Sequence, residues 1–203
     1  NVRMMFLSGI GKPYDPKTGE GAVGRNYCYQ TGGGGASLIF DDKRLNPFMG
    51  AGALSSALHD FNGDVFDHSN LDFVGGATIG SGESNGRPIS GRPTPPGTPR
   101  WGSQWKAATA ATYGRVMGIG GSGSSYAVRG NYLDLDPAYT DNHGRPLLRI
   151  TFDFPDNDIR MQNWVGGQVE KIARSLNPKT LTMGKARKGW NSVPYQSTHN
   201  TGG

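Results

Sequence analysis

Cysteine is nearly absent: Cys28 is the single one in 203 residues. No internal disulfide can form, and a zinc site built on cysteine pairs is excluded. Apolar residues are also few, at 34 % of the chain. No apolar run approaches the ~18 residues that a membrane-spanning helix needs. Charge of one sign is modest, with 21 Lys+Arg against 16 Asp+Glu and a net charge of +5. Apart from a cluster at Lys179, Lys185, Arg187 and Lys188, the basic residues are dispersed. That cluster reads as a solvated basic face. Without a basic stripe or a recognisable module, nucleic acid is not an expected partner.

Glycine and proline are abundant instead, with 33 and 13 residues, about twice their ordinary share. No strict Gly-X-Y period makes this collagen. Four Trp, eight Tyr and eight Phe argue against disorder. The composition therefore predicts a folded, loop-rich protein of one or two domains with short elements. The chain opens on Asn1 inside an apolar run, Val-Arg-Met-Met-Phe-Leu, and closes on Gly202-Gly203 without a polar tail. Both ends read as cuts through structure, as in a piece of a longer protein.

Residues 1–11 read as the end of a buried element followed by a tight glycine turn. Residues 36–41 read as a strand. Asn46-Pro47 suits a helix start, with an Ala-rich helix to His59 weakened by Gly50 and Gly52. Residues 71–80 read as a strand with a glycine bulge, residues 85–99 as an irregular loop, and residues 103–117 as a helix capped by Ser103. After a turn at residues 141–144, Leu148, Ile150, Phe152 and Phe154 alternate with Leu147, Arg149, Thr151 and Asp153. That period of two is a half-buried strand. A helix capped by Asp156 then runs to about Leu176, with Trp164, Val165, Val169, Ile172, Ala173 and Leu176 on one stripe. Gly166-Gly167 in its middle implies close packing or a kink. The order of elements fits an α+β fold better than a doubly wound sheet.

Several local patterns invite a chemical reading. Residues 118–123, Gly-Ile-Gly-Gly-Ser-Gly, match G-x-G-x-x-G, but no amphipathic helix follows to receive a pyrophosphate. A glycine-rich turn between strands is the better reading. Asp60-Phe61-Asn62-Gly63-Asp64, near Asp67 and His68, departs from calcium-loop spacing and reads as a turn with Asx hydrogen bonds. No metal site is expected. Among His59, His68, His143 and His199, none forms an H-E-x-x-H pair. His199 stands apart, in a polar run closed by paired glycines, which permit close backbone approach. Histidine ordinarily titrates near neutrality, which suits a general base. A merely solvated loop histidine is the competing reading.

Further blocks carry a resemblance. Leu7-Ser8-Gly9-Ile10-Gly11 resembles the second signature of the glucose–methanol–choline (GMC) oxidoreductases, which are FAD enzymes. Val23-Gly24-Arg25-Asn26-Tyr27 resembles the Val-Gly-x-Asn motif that follows it. Gly9-Ile-Gly-Lys-Pro-Tyr-Asp-Pro, Asn46-Pro-Phe-Met-Gly-Ala-Gly-Ala, Asp60-Phe-Asn-Gly-Asp and Pro99-Arg-Trp-Gly-Ser-Gln-Trp-Lys are similar to the gluconate 2-dehydrogenase branch. So are Asn131-Tyr-Leu-Asp-Leu-Asp-Pro, Thr151-Phe-Asp-Phe and Tyr195-Gln-Ser-Thr-His-Asn-Thr-Gly-Gly. That branch holds the flavoprotein subunits of bacterial gluconate, 2-ketogluconate, sorbitol and fructose dehydrogenases.

The resemblance implies an antiparallel sheet flanked by helices, the GMC substrate-binding domain. It divides the chain into an FAD-domain remnant (1–30), the substrate-binding domain (31–192) and the start of a return segment (193–203). The implied activity is FAD-dependent oxidation of a sugar, sugar acid or polyol hydroxyl. His199, at the family's His-x-x-Gly-Gly position, is the implied base. Asn26, Tyr27, Thr198 and Asn200 are the implied cofactor neighbours, and Trp101 and Gln104 are candidate sugar-facing groups. Trp105 reads as helix core, and Cys28 is a departure with no evident chemical role. Most of the FAD site would lie outside these residues, so the chain alone is expected to be inactive. The implied partners are a small subunit, a cytochrome c subunit and, indirectly, quinone, on the periplasmic side of the inner membrane. The competing function is a non-catalytic carbohydrate-binding or interaction domain.

Overall fold

The computed structural model describes residues 1–46, 55–83, 94–185, 189 and 199–203. They form an α+β fold in which every strand pair is antiparallel. The elements in chain order are α1 (Val2–Leu7), β1 (Cys28–Tyr29), β2 (Thr31–Ile39), β3 (Ser55–Leu58), β4 (Ala77–Glu83) and α2 (Ser103–Thr112). β5 (Val116–Gly123), β6 (Tyr132–Thr140), β7 (Pro146–Thr151), α3 (Asp156–Ser175), β8 (Thr180–Met183) and β9 (Asn200–Thr201) follow. No helix among the described residues is long and apolar enough to cross a membrane. The chain divides into two compact units.

The larger unit takes residues 31–124 and 159–186. Its sheet has the order β3-β4-β5-β2-β8. Alternate residues of β2 and its continuation, Ala36, Leu38 and Phe40, enter one core with Ala77 and Ile79 of β4 and Ile119 of β5. α3 covers them with Met161, Val165, Val169 and Ala173, spaced four apart on one face. Full burial of each large side chain contributes about 1.5–3 kcal/mol. Helix and sheet meet most closely at two glycines: a Cβ on Gly34 would stand 3.3 Å from the Cα of Gly166. The tight position is Gly34: a Cβ on Gly166 would meet Gly34 only at an ordinary 3.7 Å, and one on Gly167 would meet nothing within 4 Å. Trp164 extends the core, stacked on Phe66 at 5.2 Å and edge-on to Phe61 at 5.3 Å.

Several elements of this unit differ from the local reading. Residues 118–123 are not a turn but most of β5, paired on both sides: Gly118 faces Gly82 of β4 and Ser37 of β2. Two flanking ladders hold these glycines extended, so tertiary context overrides their weak strand preference. Residues 55–58, placed in a helix by composition, are β3, because β4 offers a free edge from Ile79 to Gly82. The remainder of that helix start, at 47–54, lies outside the described residues. β4 begins only at Ala77. Just before it, Gly76 packs so tightly that a Cβ would overlap the carbonyl of Phe61 and the nitrogen of Gly63. α2 ends at Thr112 rather than 117, and Gly114 at φ +69° turns the chain into β5. Its N-cap is Gly102, one residue before Ser103. The 60–69 region is a turn, and Asp67 accepts from the Ser69 amide at 2.8 Å.

The smaller unit takes residues 1–30, 125–158 and 187–203. α1 has no buried residue, so residues 1–11 do not end a buried element; Met4 is 58 % exposed. Arg3 ties this helix to the β6–β7 hairpin, donating to the Asp141 carboxylate at 2.8 Å and to the Pro146 carbonyl at 2.9 Å. The hairpin turn is built by Asp141, which accepts from the amides of His143 and Arg145 at 2.9 and 3.0 Å. Gly144, at φ +73°, completes it. Beside the hairpin, Leu133 N–H donates to Gly24 O at 2.7 Å and Tyr27 N–H to Asn131 O at 2.9 Å.

Candidate active site

The 23–27 block and the chain terminus meet in the smaller unit through a two-stranded ribbon. β1 and β9 pair with Cys28 opposite Thr201 and Tyr29 opposite Asn200. Two-residue strands are too short to hold themselves, and side chains and backbone outside the ladder complete the joint. Gly203 N–H donates to Arg25 O at 2.8 Å. Tyr27 Oη donates to Asn200 Oδ1 at 3.0 Å. Cys28 Sγ and Thr201 Oγ1 lie 3.0 Å apart, which gives the cysteine a hydrogen-bonding place in the ribbon.

His199 enters this ribbon just before β9 at φ +62°, and Asn26 lies two residues before β1 at φ +58°. Both conformations are left-handed, where Asn and His occur more readily than most L-residues but still under strain. Such strain persists only where the surroundings over-determine it, and it concentrates at functional positions. The His199 side chain is exposed, Asn26 is half-buried and Tyr27 is buried. The paired glycines close the joint. A Cβ on Gly202 would overlap the carbonyl oxygen of Asn26, and one on Gly203 would stand 2.9 Å from Leu133 Cδ1 and 3.0 Å from Val2 Cγ2. The group that approaches these glycines is thus the chain's own 25–26 backbone and its neighbours.

Four of the sequence-predicted residues, Asn26, Tyr27, His199 and Asn200, are brought together here. Thr198 lies outside the described residues. Trp101 and Gln104 belong to the larger unit, at the start of α2. Trp101 is 83 % exposed, Gln104 is exposed, and Trp105 is half-buried. The remaining histidines have local roles. His68 Nε2 is 2.5 Å from Gly75 O, His59 Nδ1 is 3.3 Å from Thr78 Oγ1, and His143 sits in the hairpin turn. No cluster of metal-ligating side chains occurs among the described residues.

Arg25 was not singled out by sequence, where it read only as the variable position of its motif. Its guanidinium lies over the Tyr14 ring at 5.9 Å, and its buried Nε has no hydrogen-bond partner among the described residues. A buried cationic donor without a partner can receive an anionic or carbonyl oxygen. The imidazole itself can take a proton from a group that reaches it.

No family model matches the chain. Among curated proteins, the chain is similar to the gluconate 2-dehydrogenase flavoprotein of Pantoea cypripedii, at 47 % identity over 205 aligned residues. The alignment covers 100 % of this chain and 33 % of that protein. The chain therefore spans about a third of the length of the curated relative it matches.

Proposed function

We propose that this chain is part of a GMC-type flavoprotein that oxidises a sugar, sugar acid or polyol hydroxyl to a carbonyl. The observation that carries the proposal is the identity to a gluconate 2-dehydrogenase flavoprotein along the whole chain. The alignment covers 100 % of the chain, so no segment of it lies outside the relationship. FAD, when bound, supplies the two-electron acceptor that takes the carbinol hydride. The residues present fit such a group: Arg25 Nε is a buried donor without a described partner. Asn26 is half-buried beside it, and its left-handed turn brings the 23–27 block onto the terminal glycines. In this reading Arg25, Asn26, Tyr27, Thr198 and Asn200 belong to the flavin's surroundings.

His199 is the base. Its exposed imidazole accepts the hydroxyl proton at a ring nitrogen while the carbon-bound hydride leaves. General-base assistance of this kind contributes about 10²–10⁴-fold, and alignment of the alcohol supplies much of the remainder. Trp101 and Gln104 offer an aromatic face and an amide to sugar hydroxyls. The electrons pass on to cytochrome c and quinone, with a small subunit as a further partner, on the periplasmic side of the inner membrane. The exposure of Trp101 also favours a second reading, a carbohydrate-binding module without catalysis.

The test uses the complete flavoprotein. His199→Gln should slow substrate-dependent flavin reduction by about 10²–10⁴-fold with flavin content unchanged. Undiminished reduction removes His199 from the chemistry. A panel of gluconate, 2-ketogluconate, sorbitol, fructose and glucose identifies the substrate. Binding of one of these without any flavin reduction would favour the second reading.

A further inference from the structure

We infer that the larger unit carries a further ligand site: a cavity between α3 and the sheet that takes a neutral polyhydroxylated molecule, a sugar or a polyol. The inference does not depend on His199, which belongs to the smaller unit. The cavity has a volume of about 280 Å³, and all its lining residues belong to the larger unit. Four of them are glycines: Gly34 of β2, Gly166 and Gly167 of α3, and Gly184 just after β8. No side chain projects from these positions, so backbone forms that part of the wall. The wall is fixed in place. A Cβ on Gly34 would already stand 3.3 Å from the Cα of Gly166, and Gly184 N–H donates to Gly35 O at 2.6 Å.

Glycines alone make no site. What points to a ligand is Gln162, one turn before Gly166 on the same face of α3. It lines the cavity and is 1 % exposed. Its buried Nε2 has no hydrogen-bond partner among the described residues. Buried amide donors are ordinarily paired, because an unmade bond forfeits what water supplied. The terminal torsion of glutamine is broad, so the amide can turn an N–H to an acceptor in the cavity. One water takes about 30 Å³, far less than this space. Glu170 lines the same cavity, about two turns further along the helix. Arg174 Nε and Nη2 both donate to its Oε1, at 2.8 and 2.5 Å, so Oε2 keeps its acceptor capacity.

These two groups set the chemistry of the occupant. One of its atoms accepts from the Gln162 amide, and another donates to the Glu170 carboxylate. Hydroxyls do both. Gln162 and Glu170 stand about 12 Å apart along the helix, so a molecule with several hydroxyls, rather than a single one, serves them together. No lysine or arginine lines the cavity among the described residues, which disfavours an anion beside Glu170. An apolar occupant would leave Gln162 unpaired. Met183 and the glycine Cα atoms offer apolar surface to the C–H groups between the hydroxyls.

The test titrates the complete flavoprotein with sorbitol, glucose and gluconate by calorimetry. Sorbitol or glucose should show a saturable binding component that Gln162→Leu and Glu170→Ala each weaken by about tenfold or more. Gluconate binding should be the same in both variants as in the wild type. The kcat and KM of turnover should stay within about twofold. Leucine keeps the bulk of Gln162 and removes the unmade donor, so the unliganded Gln162→Leu protein should melt no lower than wild type. Four results would overturn the inference: no binding of sorbitol or glucose that either variant weakens, gluconate binding weakened in the variants, a KM that rises in step with the lost binding, or a lower melting midpoint in Gln162→Leu. The second would mark an anion site, the third the substrate site itself, and the fourth a structural partner for the amide.

Discussion

Gly202 lies against Asn26 so closely that a Cβ on the glycine would overlap the asparagine carbonyl oxygen. Both residues adopt left-handed backbone, at φ +72° and φ +58°. The contact joins two blocks about 175 residues apart in the chain, and it admits no side chain on one partner. Gly202→Ala should therefore destabilise the smaller unit by about 1–3 kcal/mol. Denaturant unfolding followed by tyrosine and tryptophan fluorescence would measure it. Wild-type stability in the variant would show that the ribbon does not close as described.

Asn26 provides a gentler probe of the same joint. Asn26→Gly should leave stability within a few tenths of a kcal/mol, since glycine adopts positive φ freely. Asn26→Ala should cost about 1–2 kcal/mol, the penalty of a Cβ in the left-handed region. Equal effects of the two substitutions would indicate that the side chain, rather than the backbone, matters there.

Gly167 of α3 and Gly34 of β2 should respond in opposite directions. A Cβ at Gly167 meets open space, so Gly167→Ala should stabilise by about 0.5–1 kcal/mol through helix propensity and backbone entropy. Gly34→Val should do the opposite, because its Cβ would already press on the Gly166 backbone at 3.3 Å. Thermal midpoints of the two variants would settle the order.

The hairpin turn carries an acid-sensitive contact. The Arg3 guanidinium, followed by the Arg145 and His143 amides, holds the Asp141 carboxyl well below its ordinary value near 3.8. A carboxyl depressed in the folded state binds fewer protons there than in the unfolded chain. Its stabilisation is thus present above the ordinary value and lost as pH falls through the folded one. The difference in thermal midpoint between wild type and Asp141→Asn should be largest near neutrality and shrink below about pH 4. A difference that stays constant on acidification would contradict the ion pair.

Sequence periodicity located α3 within a residue at either end, because Val165, Val169 and Ala173 repeat at the spacing of one buried face. It located β7 for the same reason, since Leu148 and Ile150 alternate with more exposed neighbours, but the strand ends at Thr151 and Phe152 and Phe154 lie beyond it. The turn at residues 141–144 followed from Asp141 and Gly144, whose local chemistry needs no distant partner. Glycine-rich segments behaved otherwise. Residues 118–123 have no side-chain pattern to read, and only the ladders from β2 and β4 on either side make them a strand.

The same division runs through the candidate site. By itself the sequence determined which chemical groups are available: a histidine before paired glycines, an Asn-Tyr pair after Val-Gly-Arg, and too few cysteines for a thiolate metal centre. These are matters of residue type and adjacent spacing. Tertiary structure alone decided that Tyr27 would bond Asn200, that Gly202 would rest on Asn26, and that His199 would be held at a strained φ. Such contacts cross some 170 positions of chain, and no local propensity encodes them. They arise because the β1–β9 ladder and the buried support behind Tyr27 together outweigh the backbone cost at each end.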